Sequence, residues 1–208
     1  FAIPISITVE GANILTRNLM QFGQGLIKSH PYIYTQINAL KNNNVQSFDR
    51  AFFAHIGLVF NSFCKSLAYY LTRAQINCQK GHFQRYKQKL TWVSSEFTLL
   101  TNVALAILGP SLKKRENISA RFGDILSNCY LITATLREFE NNPNQKDEDL
   151  VDYICNYCFN EIQIAREEII SNIGFIGFLL PFVKINPKAI KAKDKLNAKI
   201  VKNLNDQN

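Results

Sequence analysis

The chain has 208 residues, 47% of them hydrophobic and 12% aromatic, with a formal net charge of +8. That length and apolar content suit one large domain with a sizeable core, or one and a half small ones. The charge is a property of the tail: residues 184–208 hold seven Lys and two Asp, a local +5, which leaves +3 on the other 183 residues. With no Lys/Arg-rich helix interleaved with aromatics, the balance excludes nucleic-acid binding as the expected function. The Lys-rich tail is read as solvated, or else as touching an anionic membrane surface.

The chain opens on an extended apolar stretch, Ile3, Ile5, Ile7 and Val9, with no initiator Met, and we expect it to be a piece of a longer protein. Glu10-Gly11 follows, an acid on a short turn, and then a helical pattern from about Asn13 to Ile27. On the residues alone, Glu10 is an ordinary acid before a helix. Phe22-Gly23-Gln24-Gly25 contains a Gly-x-Gly, but inside a helical pattern rather than after a strand, so it reads as close helix packing or a helix break.

Four long helices are then predicted by 3-4 apolar spacing. The first, about Gln46 to Ala74, places Phe48, Phe52, Ile56, Val59, Phe63, Leu67, Tyr70 and Ala74 on one stripe. The second, about His82 to Leu108, carries Phe83, Tyr86, Leu90, Val93, Phe97, Leu100, Ala104 and Ile107. The third, about Leu112 to Phe139, carries Ile118, Phe122, Ile125, Cys129, Ile132, Leu136 and Phe139. The fourth, about Asp147 to Ser171, carries Leu150, Ile154, Cys158, Ile162, Ala165 and Ile169. Breakers fall between them: Asn42-Asn43-Asn44, Gly81, Gly109-Pro110 and Asn142-Pro143. Asp147-Glu148-Asp149 puts acids where the fourth helix dipole favours them. Each stripe is expected to face the core of an all-α, antiparallel bundle with shallow crossing angles.

Past Ser171 the pattern degrades. Phe175 to Phe182 is an apolar segment interrupted by Gly177 and Pro181, and the Lys-rich tail follows. The pair is read as a bundle cap with a solvated tail, or as a segment lying in a membrane interface. No run of about 18 uncharged apolar residues, the length of a membrane span, is found.

Five cysteines, an odd number without a secretion signal, suit a reducing cytoplasm. Cys155-x-x-Cys158 lies inside an amphipathic helix without a second pair or spaced histidines, and is expected to be two small apolar residues on one face. His30, His55 and His82 are far apart in sequence and lack companion acids, so each is expected to be a polar partner or surface residue rather than a metal ligand.

The string Glu10-Gly11-Ala12-Asn13-Ile14-Leu15-Thr16-Arg17 resembles the Glu-Gly-Thr-x-x-x-x-Arg stretch of flavin-dependent acyl-CoA dehydrogenases. Its continuation through Asn18-Leu19-Met20, Phe22-Gly23-Gln24-Gly25 and His30-Pro31-Tyr32 is similar to the long bacterial branch of fatty-acid β-oxidation, which carries an extra C-terminal helical domain. Ile118-Ser119-Ala120-Arg121-Phe122-Gly123-Asp124, the Pro181 region and Lys193-Asp194-Lys195-Leu196 resemble that domain.

The resemblance implies α,β-dehydrogenation of an acyl-CoA with FAD. Glu10 would be the catalytic base, its backbone N–H facing the carbonyl oxygen, with Gly11 against the acyl-CoA and Ala12, Asn13 and Ile14 approaching FAD. Two positions depart from the family: Val9 stands where an aromatic residue is common, and Ala12 where Thr is usual. The resemblance further implies that residues 1–41 end the dehydrogenase's own helical domain, 42–183 form the added bundle and 184–208 the tail. An electron-transfer acceptor, a homo-oligomer for the full-length enzyme, and a cytoplasmic or inner-membrane-face location go with that reading. The flavin and acyl sites would lie mostly upstream, so this segment alone is expected to be inactive. The alternative is a non-catalytic helical module that docks on partners or on a membrane surface.

Overall fold

A computed structural model of the chain describes residues 30–72 and 83–173, together with Asn13. Five α-helices lie among the described residues: α1 (Ile33–Lys41), α2 (Val45–Leu71), α3 (Gln84–Leu108), α4 (Glu116–Asn141) and α5 (Glu148–Ile173). Short 3-10 turns at Gly109–Lys114 and Gln145–Asp147 lead into α4 and α5. No strand occurs among the described residues, and the fold is the expected all-α bundle. The helix from Asn13, the breaker Gly81, the apolar segment beyond Ile173 and the Lys-rich tail lie outside the described residues, except that Asn13 itself is helical and exposed.

The joints follow from their residues. Asn43 turns the chain at φ 51°, a left-handed conformation that Asn tolerates, and the Asn44 side chain accepts a hydrogen bond of 3.0 Å from the Ser47 N–H to cap α2. Gly109 ends α3 at φ 49° and ψ −132°, a region that a Cβ disfavours. Pro110 then stands in the first turn of the 3-10 segment, where its missing N–H costs nothing. That segment absorbs Leu112, so α4 begins at Glu116 and not near Leu112. Asn142-Pro143 stops α4, and Glu148 and Asp149 occupy the first turn of α5.

Cross-helix contacts fix the directions. His55 meets Asn102, Lys87 meets Glu140, and Arg121 meets Glu168, so each consecutive pair of long helices is antiparallel. Tyr86 meets Asp152 and Glu96 meets Arg166, so α3 and α5 run the same way, as up-down-up-down connectivity requires.

The core belongs to α3, α4 and α5. Phe122, Ile132, Cys155, Phe159, Ile162 and Ile169 are sealed from solvent there, and the predicted stripes of α4 and α5, Leu150 excepted, lie in or against it. The α2 stripe does not. Phe52, Ile56, Phe63 and Leu67, expected inside, are 43–50% exposed, and Phe53 and Phe60 are each 68% exposed. α2 instead turns Ala51, Ser62 and Ser66 inward. Small residues let its backbone approach α3 closely, and they leave the bulky apolar side facing out. By length and composition α2 and α3 are also apolar enough to cross a membrane, which corrects the expectation that no such segment exists. For α3 the apolar content is that of a core helix; for α2 it lies on the outer face.

Candidate functional site

Of the five residues assigned roles by the sequence, Glu10, Gly11, Ala12 and Ile14 lie outside the described residues. Asn13 is helical and exposed, a polar group open to a neighbouring surface. The described bundle gathers its chemistry-bearing side chains in three places instead.

The first joins α1, α2 and α3. His30 Nδ1 accepts from the backbone N–H groups of Tyr32 and Ile33, both at 3.2 Å, and so supplies the cap at the start of α1. His55 lies against it with ring centroids 4.7 Å apart, and the Tyr32 ring stacks on His55 at 6.1 Å. Gln36 Nε2 can donate only, so at 3.3 Å it makes His55 Nδ1 the acceptor. His55 Nε2 then donates to Asn102 Oδ1 at 2.5 Å, and Asn102 Nδ2 donates to the Thr98 carbonyl at 2.8 Å. This relay places the His55 proton on Nε2 and fixes the orientation of the ring. Burial, then the neighbouring His55, holds the His30 pKa below the usual histidine range, with Asn102 opposing. The separate sequence positions of His30 and His55 hid this contact: only the antiparallel pairing of α1 and α2 around Asn42-Asn43-Asn44 brings the rings together.

The second place is inside the core. Arg166 Nε donates to Glu96 Oε1, with both side chains nearly sealed from solvent, while Glu96 Oε2 finds no partner among the described residues. Burial outweighs the attraction of Arg166 and pushes the Glu96 carboxyl up to about 7. Nothing in the spacing of the α3 stripe marked Glu96, because it lies between Val93 and Leu100 on a face otherwise apolar.

The third is the end of the bundle where α3 and α5 begin. Tyr86 Oη donates to Asp152 Oδ1 at 3.0 Å and accepts from Asn156 Nδ2 at 2.9 Å. Lys89 Nζ lies 5.8 Å from the Tyr86 ring centroid and 5.5 Å from that of Phe159, and burial lowers its pKa. Cys155 and Cys158 are 0% and 2% exposed on the core face of α5, as the sequence suggested. Burial pushes the Cys155 thiol up to about 12, which disfavours the thiolate that redox or metal chemistry needs.

These clusters orient helices. None sets a nucleophile beside a base at an open cavity, and no group of three or more His, Cys, Asp or Glu among the described residues could hold a metal ion. A shallow surface groove lined by Leu126, Ser127, Tyr130 and Leu131 offers only hydroxyls and apolar surface.

The described residues form an all-helical bundle whose polar clusters join its helices to one another. The family model described as "Acyl-CoA dehydrogenase, C-terminal, bacterial type" matches residues 27–208, and the chain belongs to that family. The match covers the whole described bundle and begins 17 residues after Glu10. No solved structure matches the chain.

Proposed function

We propose that the chain is the C-terminal part of a FAD-dependent acyl-CoA dehydrogenase that converts fatty acyl-CoA to trans-2-enoyl-CoA in β-oxidation. The observation that carries this reading is the family match over residues 27–208, taken with the Glu10-Gly11 pair upstream of it. Glu10 removes the α-proton of the acyl thioester, and its backbone N–H meets the carbonyl oxygen as enolate character develops. Gly11 leaves room for the acyl-CoA. Ala12, Asn13 and Ile14 line the approach to the cofactor, which an exposed, polar Asn13 fits. FAD, when bound, supplies the hydride acceptor at the β-carbon, and an electron-transfer acceptor reoxidises it.

We further propose the division into residues 1–41, which close the dehydrogenase's helical domain, 42–183, the added bundle, and 184–208, the tail, in a cytoplasmic enzyme. The test is Glu10→Gln in the full-length enzyme. Turnover is expected to fall by about 10²–10⁴ with flavin content unchanged. Near wild-type turnover at normal flavin content would refute the assignment of Glu10.

A further inference from the structure

The joint between α1, α2 and α3 is built for two uncharged rings. His30 Nδ1 accepts from the backbone N–H groups of Tyr32 and Ile33, each at 3.2 Å. Those donors belong to the main chain and cannot turn over. His55 Nδ1 accepts from Gln36 Nε2 at 3.3 Å. The same Nε2 donates to the Ala51 carbonyl at 3.3 Å, so turning the amide over would set oxygen against oxygen. A proton on either Nδ1 therefore meets a donor already in place. The rings stand 4.7 Å apart, so charge on one also opposes charge on the other.

No carboxylate acts on His30 among the described residues. α2 presents His55, and α3 presents Thr98 and Asn102, which do not titrate. Tyr32 adds a phenol ring stacked on His55. Lys41, Asp49, Arg50 and Lys65, the charged residues of α1 and α2, are exposed. Burial and the neighbouring ring both hold the His30 pKa below the ordinary histidine range, the direction this geometry demands. The same few contacts hold α1 in place. The His30 cap and Gln36 tie it to α2, and His55 continues to Asn102 on α3. Ala39 is the one buried residue of α1, so little apolar burial holds the helix once the joint is broken.

We propose that a proton on His30 releases α1 from α2 and α3, which makes this joint an acid-operated latch on one side of the bundle. Protonation turns Nδ1 from acceptor to donor, breaks its bonds to the Tyr32 and Ile33 amides, and sets a cation against His55. α1 then swings about Asn42-Asn43-Asn44, where Asn43 already turns the chain at φ 51°, while α3, α4 and α5 keep their core. The consequence for the enzyme rests on the division proposed above, in which residues 1–41 close the domain that carries Glu10. The latch itself does not rest on that reading, and its test needs neither flavin nor substrate.

Amide hydrogen exchange of the full 208-residue chain between about pH 7.5 and 5 tests it, as protection factors that correct for the intrinsic pH dependence of exchange. Protection of the α1 amides is expected to fall by about tenfold per pH unit below 6.5, the slope of one proton. The nuclear Overhauser contact between the His30 and His55 rings is expected to vanish over the same range. Emission from Trp92, the single, buried tryptophan, is expected to stay that of a sealed indole, since the core remains closed. His30→Asn offers an oxygen to the same two amides but takes up no proton, so its α1 protection is expected to stay level. Wild-type α1 protection and ring contact that do not change with pH overturn the proposal. So does a fall that persists in His30→Asn, or one accompanied by a red shift of Trp92 emission, which marks unfolding of the core.

Discussion

Glu96 and Arg166 show how one buried pair makes the stability of the bundle depend on pH. Arg166 is always charged, and Glu96 has one carboxylate oxygen on the guanidinium and one without a partner among the described residues. Because burial raises the folded-state pKa of Glu96 from 4.5 to about 7, the folded state favours the protonated acid. The stabilisation from this group is therefore fully present below pH 4.5 and is lost as pH rises through 7. Between pH 5 and 7 the loss is about 2 kcal/mol, and urea unfolding of Glu96→Gln, compared with wild type at the two pH values, is expected to lack it. His30 acts in the opposite direction. Its lowered pKa means the unfolded chain takes up the proton first, so its contribution is present above pH 6.5 and is lost as pH falls below that value. The atom that would be protonated, Nδ1, is the one that accepts from Tyr32 and Ile33, so acid also removes the cap of α1. Neither effect could be read from sequence, since each needs two residues that the chain separates, by 70 positions for Glu96 and Arg166 and by 25 for His30 and His55.

Among the helices, legibility tracked how many constraints a residue pattern carries. α3, α4 and α5 were readable in extent, because 3-4 spacing coincided with breakers that stop a helix for steric reasons. The stripes of α4 and α5 were also readable in orientation, although both helices leave apolar residues exposed elsewhere, Tyr130 and Leu131 on α4 and Tyr157 and Ile164 on α5. α2 defeated the same rule: periodicity says that a helix has an apolar side, but not that this side faces its own core. The small residues Ala51, Ser62 and Ser66 decide the packing, and they are invisible to a rule that weighs only bulk. α1, nine residues between Tyr32 and Asn42, was too short for its period to stand out. The Gly109-Pro110 break was legible, and its strain can be measured. A Cβ at Gly109 would meet nothing within 4 Å, so any cost of Gly109→Ala comes from φ +49° alone. We expect thermal unfolding to show a loss of about 1–3 kcal/mol. No loss would mean that the α3 terminus relaxes into an ordinary turn.

At the scale of the molecule, apolar burial is distributed unevenly, and cooperativity should follow it. α3, α4 and α5 share one continuous core, whereas α1 and α2 are joined to it through small side chains, Tyr69 and the His55–Asn102 contact. Opening α1 and α2 exposes little core surface, while opening α4 or α5 uncovers Phe122 and Phe159, both fully sealed. Local stability rises with buried apolar contact, so the two groups of helices should exchange amide hydrogens through different openings. In native-state exchange at low chain concentration, amides in the middle of α4 and α5 are expected to exchange only by global unfolding. Those in the middle of α2 should exchange through a smaller opening, with a protection free energy lower by a few kcal/mol and a weaker dependence on denaturant. Equal protection in α2 and α4 would show that the bundle opens as one unit, and that the contact between α2 and α3 holds as firmly as the aromatic core.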